Sequence, residues 1–152
     1  MTKGVTILGV IALLSTAGMA SAGEVAPGDV KIAEGMLAMA VSDAAGSTEE
    51  GAKAFKDRGL GNCLACHANS AMSKELFHGD VGPSLDGVSE RYKPEELRAI
   101  VVNSKAVFGE ETVMPGFYTL EVGINPAKDR EGKTILSAQQ VEDIVAYLTT
   151  LK

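Results

Sequence analysis

Both cysteines of this 152-residue chain fall in one short run, Cys63-Leu64-Ala65-Cys66, and His67 follows directly. Whatever the two thiols are bonded to fixes the centre of the fold, so this run constrains the chain more than any other. A disulfide is chemically permitted in an oxidising compartment. A redox dithiol of the Cys-x-x-Cys kind sits on the strand-to-helix turn of a βαβ unit, whereas residues 48 to 58 ahead of Cys63 read as helix. Structural zinc wants four ligands, and only His67 and His78 are available to complete the set, at a spacing that matches no common zinc knuckle.

Cys-x-x-Cys-His fits a fourth chemistry, the attachment of c-type haem, in which each thiol adds to a vinyl group and the adjacent histidine becomes an axial iron ligand. The spacing places both thiols on one side of a single turn, facing the porphyrin edge. The expected cofactor is therefore one covalent haem c, with Cys63 and Cys66 as thioethers and His67 as the proximal metal ligand. The thiols would then be neither nucleophiles nor disulfide partners.

The N-terminus supports that chemistry. Lys3 is followed by an almost unbroken apolar run from Val5 to Leu14, and Ala20-Ser21-Ala22 has the small-x-small form of an export cleavage site. The run is shorter than the roughly 20 residues that a spanning helix needs. Residues 1–22 are thus expected to be a signal peptide, cleaved after about Ala22, with the remainder in the periplasm as one domain and no membrane span. The formal charge of −6 becomes one unit more negative when Lys3 is removed. Without clustered Lys and Arg, no nucleic-acid partner is expected, and the acidic surface suggests a partner with a basic docking face.

Iron held by one histidine either keeps an open position or takes a second protein ligand. Past the leader the methionines are Met36, Met39, Met72 and Met114. The first two precede the haem run and Met72 lies too near His67 to reach the opposite face. Met114 stands in Val113-Met114-Pro115-Gly116-Phe117, where Pro115 restricts it to extended backbone and suits a loop that presents a thioether. His/Met is the established pair of cytochromes c, so Met114 is expected as the second axial ligand. His78 is the rival, in what reads as an exposed loop. A soft thioether favours the ferrous state and raises the potential relative to a second histidine. With both positions filled, outer-sphere electron transfer is the expected chemistry.

The rest of the chain reads as helices around that centre. Ser47-Thr48-Glu49-Glu50 forms a capping box that opens a helix to about Arg58. Pro94 suits the first turn of another, with Leu97, Ile100 and Val101 facing inward. Ser137 and Gln140 cap a last helix in which Val141, Ile144, Val145, Leu148 and Leu151 recur at helical spacing. Thr119 to Gly123 is the one candidate for a short extended segment. The expected class is all-α.

Gly51-x-x-x-Phe55 and Ile144-x-x-Tyr147 resemble the crossed terminal helices of class I cytochromes c, and Gly82-Pro83-x-Leu85-x-Gly87 resembles their segment after the haem motif. That resemblance implies that the Pro83 carbonyl accepts a hydrogen bond from His67 and orients it. A narrower likeness runs in blocks through residues 47 to 152: Gly61 to His67, Gly79 to Leu85, Leu97 to Lys105, Thr112 to Pro115 and Thr134 to Leu148 are similar to the SoxX family, monohaem cytochrome subunits of the periplasmic sulfur-oxidation system. The likeness implies a heterodimer with a SoxA-type cytochrome. It also implies a complex that joins thiosulfate oxidatively to a cysteine of a SoxYZ-type carrier protein, an L-cysteine S-thiosulfotransferase with the sulfur chemistry on the partner chain, and an electron-acceptor cytochrome downstream. No catalytic residue is then expected here.

Residues 23–46 have no counterpart in a minimal cytochrome c domain, which would span 47–152. Val30, Ile32, Met36, Leu37, Met39 and Val41 make this extension more apolar than a free tail. It is expected to pack on the partner subunit, with folding back on its own domain as the alternative. Two other functions use the same haem: a free-standing electron shuttle, and a haem sensor or peroxidase-like protein with a labile Met114.

Overall fold

In the computed structural model, which describes residues 23–121, 123 and 125–152, four α-helices follow in the order α1 (Thr48–Lys56), α2 (Val88–Arg91), α3 (Pro94–Phe108) and α4 (Ala138–Leu148). The expected signal peptide lies outside the described residues. No strand forms among the described residues, and Thr119 and Leu120 make bends instead of extended structure. None of the described helices is long and apolar enough to cross a membrane.

Crossing of α1 and α4 builds the centre of the molecule, as their sequences anticipate. A Cβ on Gly51 would lie 1.9 Å from the Asp143 carbonyl oxygen, so only glycine lets the two backbones approach this closely. One turn later Phe55 meets Tyr147 edge-on with ring centroids 5.4 Å apart, the geometry preferred by aromatic quadrupoles. Val141, Ile144, Val145, Leu148 and Leu151 are all buried, each contributing roughly 1.5–3 kcal/mol of hydrophobic stabilisation.

The caps formed with one revision. At α4 the Ser137 hydroxyl accepts the Gln140 N–H at 3.2 Å and the Gln140 side chain accepts the Ser137 N–H at 2.8 Å, a complete box. At α1 the Ser47 hydroxyl accepts the Glu50 N–H at 3.3 Å, but the Ser47 N–H goes to the Asp143 carboxylate at 2.7 Å and Glu50 pairs with Lys53. The nearby carboxylate of α4 displaces the local one.

Helix α3 buries Leu97, Ala99, Val101 and Val102, while Ile100 is half-buried. It is also broken: Asn103 has φ −152° and ψ 90°, well outside the helical region.

The N-terminal extension folds back on its own domain, the alternative to packing on a partner. Leu37 and Val41 enter the core. Its backbone is anchored as well, with the Val41 N–H donating to Glu142 at 2.8 Å, the Leu37 N–H to the Glu95 carbonyl at 2.9 Å, and the Tyr118 hydroxyl to the Val25 carbonyl at 2.8 Å. Glu142 is simultaneously gripped by Arg98 through Nε at 2.9 Å and Nη2 at 3.0 Å, and Arg98 Nη1 donates to the Leu37 carbonyl at 3.0 Å. Burying those apolar side chains without their backbone partners would strand polar groups, so the arm and its anchors form together. Met36 and Met39 stay exposed.

Candidate haem site

The run Cys63 to His67 is a single tight turn. Asn62 enters it in the left-handed region at φ 47°, which asparagine tolerates better than most residues. The N–H groups of Cys66 and His67 then both bond to the Cys63 carbonyl, at 3.1 and 2.9 Å. Neither cysteine is in a disulfide; Cys63 is half-buried and Cys66 exposed. Desolvation pushes the Cys63 thiol up to about 12. A redox dithiol relies on the opposite, a thiol with a lowered pKa, and Cys63 is not one.

A strap from Gly79 to Leu85 runs alongside the turn. Gly79 N–H donates to the Leu64 carbonyl, Gly82 N–H to the Cys66 carbonyl and Leu85 N–H to the Ala68 carbonyl, at 2.8, 2.8 and 2.9 Å. Glycine is required where the strap touches. A Cβ at Gly79 would lie 2.1 Å from the Ala65 carbonyl oxygen, and one at Gly82 would lie 2.3 Å from Cε1 of His67.

The strap delivers the Pro83 carbonyl to 2.7 Å from Nδ1 of His67. A carbonyl only accepts, so Nδ1 carries the proton and Nε2 of the neutral ring keeps a lone pair. Nε2 makes no hydrogen bond among the described residues. Two unpaired thiols one turn apart beside an imidazole with a lone pair available are the donor set that haem c takes, and the residues fit the group.

His78 is in a different state from the exposed residue that the sequence suggested. It is half-buried, its Nδ1 accepts the Asn69 N–H at 3.2 Å and its Nε2 donates to the Met72 carbonyl at 3.0 Å. With both nitrogens engaged it holds the 69–78 loop closed and is not available to a metal. Asn69 is fully buried and joins that loop to α4 by donating from Nδ2 to the Tyr147 hydroxyl at 2.8 Å, while its Oδ1 accepts the Ala71 N–H at 3.0 Å. Sequence reasoning missed Asn69; the one available signal is its fitness to bond a backbone N–H two residues on.

Met114 lies in the connection between α3 and α4, half-buried and packed against the hydrophobic core. The residues after it are pinned to α3, with the Phe117 and Tyr118 N–H groups donating to the Val101 and Val102 carbonyls, both at 3.1 Å.

Comparison with known proteins places this geometry. Residues 48–152 match the family model for cytochrome c. A chain in the crystal structure of SoxXA from P. pantotrophus is similar at 40% sequence identity with a TM-score of 0.78, over 86% of this chain and 99% of that one. No curated protein matched. With more than half of its length inside that family model and the fold shared with a solved relative, the chain belongs to the cytochrome c family, an all-helical electron-transfer protein of the class I kind that carries one haem c.

Proposed function

We propose that this chain is the monohaem electron-transfer subunit of a periplasmic SoxAX-type complex. In this reading Cys63 and Cys66 would hold haem c as thioethers, His67 and Met114 would be its iron ligands, and Pro83 would orient His67. The observation that carries the site is the bond from His67 Nδ1 to the Pro83 carbonyl, which leaves Nε2 with its lone pair beside two unpaired thiols. Likeness to a chain of SoxXA over nearly its whole length supports the finer assignment.

Haem c, when bound, supplies a metal centre that gains and loses one electron. The protein's own contributions are local. The Pro83 carbonyl keeps the Nδ1 proton in place and raises the basicity of the ring. The Met114 thioether offers a soft, neutral ligand that favours the reduced state. Both thiols are consumed in attachment, so no cysteine remains for sulfur transfer. The oxidative joining of thiosulfate to a SoxYZ-type carrier cysteine is therefore assigned to a SoxA-type partner, with this chain relaying electrons to an acceptor cytochrome.

Purification of the native protein from a periplasmic extract tests this. A SoxA-type cytochrome that co-purifies, with pigment that stays on this chain through denaturing electrophoresis, is the expected result. A coloured chain that purifies alone would point to a free-standing shuttle, and a colourless one would remove the haem assignment.

A further inference from the structure

We infer that the break in α3 at Asn103 is the device that positions Met114, with Ser104 as the positioning residue; this rests on Met114 being the second axial ligand. Residues on both sides of Asn103 are helical, and Asn103 caps the second segment by accepting the Ala106 N–H at 3.4 Å through its side chain. An extended residue with its side-chain oxygen on the N–H three residues ahead is an N-cap placed inside a helix.

The break diverts the helix's own hydrogen bonds to the loop that follows. The Val101 and Val102 carbonyls accept from Phe117 and Tyr118. The Ser104 side chain, fully buried, donates to the Met114 carbonyl at 2.5 Å and lies 3.3 Å from the Pro115 carbonyl. Lys105 Nζ donates to the Glu110 and Thr112 carbonyls at 2.8 and 2.9 Å. Gly116 closes on the kink, since a Cβ there would lie 3.1 Å from Asn103 Oδ1 and 3.2 Å from the Val102 carbonyl oxygen.

The chain is thus tied before Met114 by Lys105, at Met114 by Ser104 and after it by two helix carbonyls. A hydroxyl has a single proton, and Ser104 directs it to the carbonyl of the one residue whose side chain must stay on the iron. Continuous helix through residue 103 would have kept the Val102 carbonyl for the Ala106 N–H and left the loop without its anchor.

The test uses the haem-loaded full chain and reads the methionine–iron band in the red of the visible spectrum, together with the affinity of the ferric protein for added imidazole, which competes with Met114. Ser104→Ala is expected to weaken the band and tighten imidazole binding on the order of tenfold, the size of one buried hydrogen bond. Ser104→Thr, which keeps the hydroxyl, is expected to restore both. A purely architectural role would lower the unfolding temperature and leave the imidazole affinity unchanged, and that result overturns the inference. If Ser104→Ala does not fold, Lys105→Met supplies the same readout, with a smaller shift in the same direction expected and no shift counting against the proposal. A wild-type protein with no such band would refute the Met114 assignment and the inference with it, whereas a wild-type band that Ser104→Ala leaves intact refutes the inference alone.

Discussion

A single methyl group at residue 82 separates an oriented proximal histidine from a displaced one. Gly82→Ala would put Cβ inside the van der Waals surface of the His67 ring and force it off the Pro83 carbonyl; a lowered haem-to-protein ratio in purified material, measured by absorbance, is the expected outcome. With Met114 as the proposed second ligand, Met114→Ala should lower the midpoint potential, by roughly 59 mV for each tenfold loss of preference for the reduced state, readable by spectroelectrochemical titration. At this scale the sequence was informative where covalent chemistry dictates spacing, as for Cys63, Cys66 and His67. It was uninformative where a side chain meets a backbone group brought in from another loop. Nothing in Phe77-His78-Gly79 reveals that His78 is locked between the Asn69 N–H and the Met72 carbonyl, because those partners exist only once the loop has closed.

Among the elements, α4 was the most legible, since five apolar residues at helical spacing and a reciprocal cap leave little choice of conformation. Its crossing with α1 is correspondingly sensitive. Gly51→Ala must separate two backbones that touch at the Asp143 carbonyl, and overpacking of this kind costs ~1–3 kcal/mol, visible as a lower midpoint in chemical denaturation. Helix α3 was legible only as a helix. Its apolar residues continue in register through residues 97 to 102, which conceals the break, and the hint was Asn103-Ser104, two residues that bond readily to nearby backbone. The half-formed cap at Ser47 has a similar cause: a local motif pointed to Glu50, but tertiary packing put the Asp143 carboxylate nearer.

For the molecule as a whole, apolar composition announced that residues 23–46 are not a free tail without saying which surface they cover. Burial of Leu37 and Val41 and the shared carboxylate of Glu142 turn them inward. Arg98→Ala would leave Glu142 buried without its cation, at a cost of ~3–5 kcal/mol, and should accelerate hydrogen exchange at the Val41 amide more than at amides within α1. Arg98→Lys keeps the charge and loses the two-pronged grip, so an intermediate exchange rate is expected. The seating of Val41, Ser42 and Ser47 on Glu142, Gln139 and Asp143 also sets an order of assembly. That segment has its docking surface on α4, 96 to 101 residues further along the chain, so a polypeptide that lacks α4 has nowhere to seat it.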